Sequence, residues 1–383
     1  MHHLPILPKG SAVIRTLDLF AGAGGLTTGL AAGSAQFSPV AAVEMDVAAA
    51  ATYALNHGGR LRDGKIVGGD HVNAVGIEEW LDAGVVPEVD VVVGGPPCQG
   101  FSTLNRDGVG AERNLLWQRY AETVSRATPK YFVLENVPAF TKSEQFNVFA
   151  ESFGQGGLLE DYTFESRVLN AADYGAFQAR RRVVVLGWRK DAAPLTFPRT
   201  TSADVHPTVA EAFAGLNPIV EQIDLPTREV TFRGKTLPGA FRTHELHVTR
   251  RYEQLSLDRF SHIPEDGNRF NIPEHLLSAC WKNHRSGTGD VMERLHWNKP
   301  SVTIRTEFFK PEKGRYLHPV EDRAITHLEA AILQGYPLNY RWVGSKVAIA
   351  RQIGNAVPIP LGKAIGTAIA EAVNSEAAEK HAA

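Results

Sequence analysis

Cys98 lies in Gly94-Gly95-Pro96-Pro97-Cys98-Gln99-Gly100-Phe101-Ser102, just past the apolar run Val89–Val93 and inside a loop stiffened by two prolines. A free cysteine in a core segment behaves as a small inert hydrophobe. One held in a shaped loop after a strand is a candidate nucleophile, with the thiolate as its reactive form. The other cysteine, Cys280, follows Leu276-Leu277-Ser278-Ala279 and fits the inert reading. Downstream of Cys98, a second apolar run, Tyr131–Leu134, ends in Glu135-Asn136-Val137. A thiol and a carboxylate at the ends of successive strands can face one substrate from two sides. A third group, Gln178-Ala179-Arg180-Arg181-Arg182, runs straight into Val183-Val184-Val185-Leu186. Alternate strand side chains share a face, so Arg180 and Arg182 are expected to point together, which suits phosphate or carbonyl recognition. A solvated basic strand start is the plainer alternative.

The run Asp18-Leu19-Phe20-Ala21-Gly22-Ala23-Gly24-Gly25 has the glycines that a tight strand-to-helix turn needs where a ligand approaches the backbone. Glu44, twenty residues after Gly24, is placed to bond a ribose hydroxyl. Together they indicate a nucleoside-containing cofactor without saying which; a nicotinamide fits these residues equally well. Asp70 also follows an apolar pair, although an acid there is often only a helix cap.

Behind these residues stands a repeated unit. Ile14–Leu17 leads to Asp18, Val40–Val43 to Glu44, Ile66-Val67 to Asp70, Val89–Val93 to Cys98 and Tyr131–Leu134 to Glu135. The intervals suit βαβ crossovers, with helices expected at Gly25–Ala32, Val47–Asn56 and Leu115–Ala127. That alternation predicts an α/β fold, a mostly parallel sheet with helices on both faces and ligands outside the strands' carboxyl ends. After Val183–Gly187 the period breaks. The stretch from 190 to about 320 is rich in Pro, Arg, His and Thr and reads as a smaller irregular domain. Helical patterning returns at Ala324–Gln334 and at Ala356–Val373, an apolar helix expected to pack back on the first domain, with Asn374–Ala383 as a frayed tail.

The 383 residues allow one large domain or a main domain with a companion, and 43% hydrophobic residues supply a sizeable core. No stretch approaches a membrane span and the start lacks a signal-peptide pattern, so a cytoplasmic protein with no membrane partner is expected. Two cysteines make neither a disulfide framework nor a zinc site, and no metal is expected. A net charge of −2 does not announce nucleic acid. From Arg228 to Arg315, however, 16 Lys/Arg stand against 11 Asp/Glu, so DNA would have to meet a local basic face.

Taken in order, Asp18–Gly25, Glu44, Asp70, Pro96–Ser102, Glu135–Val137, Gln178–Arg182, Arg323–Pro337 and Gln352–Pro358 make the chain resemble a DNA (cytosine-5)-methyltransferase of the bacterial restriction–modification type. His71 after Asp70, where the family often has an aliphatic residue, and Met45 at an often bulkier position are its departures. The resemblance implies a Rossmann-like S-adenosylmethionine-dependent methyltransferase sheet, formed by residues 1–190 and completed by 338–383. Residues 191–337 would form the target-recognition domain and hinge. Phe20 and Met45 would contact adenine, Glu44 the ribose and Asp70 the adenine amino group. Asp18, Ala21, Gly22, Gly24, Gly25, Pro97, Leu116 and Asn355 would complete the cofactor site.

By the same resemblance, Cys98 attacks C6 of a flipped cytosine, Glu135 serves N3, and Arg182, with Arg180, steadies the O2 side. Gln99, Ser102, Asn136 and Gln178 face DNA or substrate, and the 103–113 loop closes over the flipped nucleotide. The implied partner is double-stranded DNA, methylated by a monomer, with a cognate restriction endonuclease in the same system but not in contact. A transfer-RNA cytosine-5 methyltransferase is the near rival. An amino-methyltransferase needs no thiol, and a catalytically dead regulator would have no use for Cys98, Glu135 and Arg182 together.

Overall fold

A computed structural model describes residues 12–97, 116–283 and 289–382. Cys98, Gln99, Ser102 and the 103–113 loop lie outside the described residues. The main sheet contains β1 (Ile14–Leu19), β2 (Phe37–Val43), β3 (Val72–Asn73), β4 (Val91–Gly94), β5 (Tyr131–Asn136), β6 (Tyr162–Asn170) and β7 (Arg181–Arg189). Their spatial order is β3-β2-β1-β4-β5-β7-β6. Neighbours from β3 to β5 are parallel, and β7 is antiparallel to both β5 and β6, so β7 alone runs against the rest. The chain moves outward from β1 through β2 to β3, then returns to place β4 on the other side of β1. The strand order therefore switches between β1 and β4, where an open α/β sheet forms its ligand crevice.

Among the helices are α1 (Gly25–Gly33), α2 (Val47–Asn56), α3 (Ile77–Asp82), α4 (Leu116–Ala127), α5 (Glu144–Glu151), α6 (His327–Leu333), α7 (Lys346–Asn355) and α8 (Ile359–Ala382), with further ones at Val209–Ala212, Gln254–Ser261 and Ala279–Asn283. The Asp46 side chain caps α2 by accepting from the backbone N–H groups of Ala48 and Ala49. Helices α1 and α8 pack at backbone distance: a Cβ on Gly29 would stand 2.6 Å from Gly362 Cα, and one on Gly366 2.8 Å from Leu30 Cα. Glycine is required there because two helix backbones touch.

A second sheet joins residues from distant parts of the chain in the order Arg341–Val343, Lys235–Arg242, Glu229–Phe232, Lys65–Val67 and Arg60–Arg62. An apolar cluster that includes Phe241, Ile304, Phe308, Tyr316, Ile325, Trp342 and Ile349 lies beneath its far part. Two sequence expectations change here. Ile66-Val67 belongs to this second sheet, and β3 is the main-sheet strand of that region. The tail beyond Asn374 remains helical to Ala382, held where Asn374 Nδ2 donates to Gln36 Oε1 at 3.3 Å and Lys130 pairs with Glu376 at 2.9 Å. Among the described residues no single helix is long and apolar enough to cross a membrane.

Candidate active site

The turn after β1 takes its shape from three residues with positive φ: Phe20 (+56°), Gly22 (+54°) and Gly24 (+85°). Packing requires two of its glycines, since a Cβ on Gly24 would meet His57 Nε2 at 2.6 Å and one on Gly25 the Tyr336 hydroxyl at 2.8 Å. A Cβ on Gly22 would meet nothing within 4 Å, so Gly22 is the turn's open face. Ala21 N–H donates to the Val43 carbonyl at 3.1 Å, tying the turn to the end of β2. Glu44 completes that tie: Oε2 accepts from Gly22 N–H at 2.9 Å and Oε1 from Asp46 N–H at 2.7 Å. Burial raises the Glu44 carboxyl above its usual range, opposed by these N–H bonds. Beside it, Met45 is 74% exposed and Phe20 half-buried, leaving apolar surface open at the crevice.

The end of β4 stands across the crevice. A Cβ on Gly94 would lie 2.6 Å from the Leu19 carbonyl, so β1 and the start of the proline loop touch there. A Cβ on Gly95 would lie 3.1 Å from Glu135 Oε2, and Asn136 Nδ2 donates to the Pro96 carbonyl at 3.0 Å. Successive residues at the end of β5 thus hold the loop that leads into Cys98. The other Glu135 oxygen lies 3.0 Å from Arg182 Nε at the start of β7. Because β7 runs backwards, its first residues meet the last residues of β5. Arg180 is buried close by and donates from Nη1 to the Ile304 carbonyl at 3.0 Å. Burial lowers its pKa to about 9, aided by the Arg182 charge and opposed by that of Glu135. Arg180 lies before β7 rather than in it and is bonded to Ile304, so Arg182 is the arginine that pairs with Glu135.

A family model for C-5 cytosine-specific DNA methylase matches residues 14–371. The chain belongs to that family. It is a DNA cytosine-5 methyltransferase, with S-adenosylmethionine as its methyl donor and DNA as its substrate. It is 32% identical to the Type II methyltransferase M1.HphI of Haemophilus parahaemolyticus over 92% of this chain and 86% of that one. It is 33% identical to Type II methyltransferase M.XorII of Xanthomonas oryzae pv. oryzae over 94% and 85%. Its fold resembles that of a prophage-encoded chain from E. coli described as a DNA modification methyltransferase, at TM-score 0.67 and 22% identity over 94% and 99% of the two chains. The S. pombe Dnmt2 methyltransferase is a more distant fold neighbour, at TM-score 0.55 and 16% identity over 95% and 99%.

The residues at the methyltransferase crevice fit this donor, with open backbone at Gly22, an acid at Glu44 and uncovered apolar surface at Met45. Several expected contacts need correction. Asp18 is 2% exposed and stands behind the turn, where Oδ2 accepts from the Thr27 hydroxyl at 2.6 Å and burial raises its pKa to about 7. It supports the turn and does not line its surface. Asp70 is exposed and precedes β3, whose carboxyl end is Asn73; Glu44 N–H donates to the Asn73 carbonyl at 3.0 Å. Asn73, which the sequence reading missed, ends β3 beside Glu44, with Asp70 exposed just before that strand. Gln178 is fully buried between Ile304 N–H and Gln334, at 2.8 Å each, so it cannot meet DNA. Asn136 is buried as well and serves the Pro96 carbonyl.

Other expected residues are placed as follows. Pro97 and Leu116 are half-buried, while Asn355 is exposed at the end of α7. Next to it, a Cβ on Gly354 would lie 2.5 Å from the Arg305–Thr306 backbone. Arg323 and Glu329 form an internal pair at 2.8 and 2.7 Å, which explains part of the Arg323–Pro337 motif without any ligand. Among the described residues no three His, Cys, Asp or Glu are grouped to hold a metal ion.

Proposed function

We propose that this methyltransferase is the modification member of a restriction–modification system and acts on C5 of a flipped cytosine through a transient Cys98–C6 bond. The Type II designations of M1.HphI and M.XorII support the biological role. The observation that carries the chemistry is the contact between Gly95 and Glu135, which brings the stem of the Cys98 loop against the acid and its Arg182 partner. Residues 191–337 are assigned to target recognition, and a cognate endonuclease acts without contact.

S-adenosylmethionine, when bound, supplies an electrophilic methyl group that cytosine C5 is too weak to accept unaided. Phe20 and Met45 hold its adenine, Glu44 its ribose and Gly22 its close backbone contact. Asp70, just before β3, would take the adenine amino group, and Pro97, Leu116 and Asn355 would complete the pocket. Extruding the cytosine costs a few kcal/mol and exposes C6. The Cys98 thiolate then adds to C6, and the ring electrons move toward N3, where Glu135 supplies a proton. Arg182, oriented by Glu135, supports the charge at O2. After C5 has taken the methyl group, a base removes the C5 proton, the C5–C6 double bond reforms as Cys98 leaves as thiolate, and N3 returns its proton to Glu135.

Bisulfite sequencing of a plasmid from cells expressing the protein will report 5-methylcytosine at one recurrent sequence. A duplex with 5-fluorocytosine at that position is expected to trap the wild type covalently. Cys98→Ala should neither trap nor turn over while still binding DNA, and Cys280→Ala should do all three. Trapping by Cys98→Ala would remove the proposed nucleophile.

A further inference from the structure

Beside Gln178-Ala179, the short strand that precedes β7 and its Arg182, lies a groove of about 660 Å³ lined by Ala179, Lys299, Thr303, Arg305, Arg315 and Asp290, among others. Its charges differ in how far they are already committed. Arg315 Nε is paired with Glu293 at 2.6 Å, whereas the nearest acid to Arg305 is Asp290, 4.0 Å from Nη2. The Arg305 side chain is 62% exposed, yet it is not left to wander. Its backbone N–H and Nε both donate to the buried Tyr316 hydroxyl, at 3.3 and 3.2 Å, and that hydroxyl donates to the Thr303 carbonyl at 2.9 Å. One donor and two acceptor sites exhaust a hydroxyl's capacity. A Cβ on Gly314 would come within 3.1 Å of Arg305 Nη2, so glycine leaves the guanidinium its room.

The segment bearing Arg305 is fixed to the chemistry. Ser301-Val302 pairs in parallel with Gln178-Ala179, Thr303 Oγ1 donates to the Ala179 carbonyl, and Ile304 bonds both Gln178 and Arg180. On its other side, the backbone at Arg305–Thr306 packs on Gly354, next to Asn355. A cation held at a constant distance from the strand that leads into Arg182 suits a feature that every target shares.

We propose that Arg305 is a phosphate contact that seats the target strand beside the catalytic centre, and that Tyr316 is the positioning residue that aims it. The ligand is the DNA phosphodiester backbone, bound by the outward Nη edge while Nε stays bonded to Tyr316. The inference rests on the reading that residues 191–337 engage DNA.

Fluorescence anisotropy with a duplex carrying the methylated sequence and a scrambled one, across a salt series, separates the possibilities. Arg305→Ala should weaken both duplexes by about tenfold and reduce the log K against log salt slope by about one. Tyr316→Phe should keep the wild-type slope, because the charge is retained, but raise KM for DNA more than it lowers kcat. An Arg305→Ala effect confined to one base pair would make Arg305 a base reader, and an unchanged slope would leave it no DNA role; either overturns the proposal. Tyr316→Phe behaving as wild type overturns the positioning half. Because Arg305 is exposed, its variant stays informative even if Tyr316→Phe fails to fold. A wild type that binds neither duplex would instead defeat the recognition assignment itself.

Discussion

Glu135 has different neighbours at its two oxygens: Arg182 at 3.0 Å on one side and the Gly95 backbone close to the other. A Cβ on Gly95 would crowd that oxygen at 3.1 Å, so glycine eases the loop's approach to the carboxylate. Glu135→Gln keeps the shape and hydrogen-bonding capacity of the group but cannot supply a proton at N3. We expect kcat to fall by about 10²–10⁴-fold with DNA and cofactor affinity nearly unchanged, measured by single-turnover methyl transfer and equilibrium binding. A variant within a few-fold of wild type would assign the proton to another donor. Glu135 and Arg182 were legible because each stands at a strand end with an unusual residue type. Gln178 and Asn136 were legible as important but misread in role, since a sequence does not distinguish an amide that faces DNA from one bonded internally. Asn73 gave only a weak signal, an amide two residues into a run interrupted by glycines.

Among the elements, α1 and α8 approach each other closely at their glycines. Gly29→Val would drive a branched side chain into the Gly362 backbone, where the Cβ alone would already stand at 2.6 Å. Overpacking of this kind typically costs about 1–3 kcal/mol. Urea denaturation should show a lower midpoint with a nearly unchanged m-value, and an unaltered midpoint would mean that the helices can separate freely. Helix α2 was readable to the residue because Asp46 caps a run of alanines, and α1 and α4 to within one residue. Strand β6 was missed. Its Glu165 and Arg167 are exposed at the sheet edge, which breaks the apolar run that revealed the inner strands. Lys65–Val67 looked like an inner strand but pairs with Glu229–Phe232, a long-range partner that no local pattern discloses.

At the scale of the molecule, the Arg323–Glu329 pair is a buried charge link. Arg323 also donates to the Pro218 carbonyl, and Glu329 accepts from Thr326 N–H at 2.7 Å. Burial alone would raise the Glu329 carboxyl, but the bonds and charge of Arg323 hold it below its usual 4.5. Its stabilising contribution is therefore complete above about pH 4.5 and is lost as pH falls through the folded value. Glu329→Gln should cost about 3–5 kcal/mol at pH 7, because it leaves a buried guanidinium without its counter-charge. Chemical denaturation at pH 7 and pH 3.5 should find the gap to wild type narrower in acid; a constant gap would show that the charge is not responsible.

The packing of α8 on α1 also bears on synthesis of the enzyme. Helix α8 is made well after α1, yet it covers it. A nascent chain still on the ribosome would hold the glycine face of α1 bare until residues beyond 359 emerge, by which time the whole of 191–337 has been translated. Methylating capacity would then arrive only after the segment we propose for target recognition has been made, and products truncated before α8 would carry no indiscriminate activity.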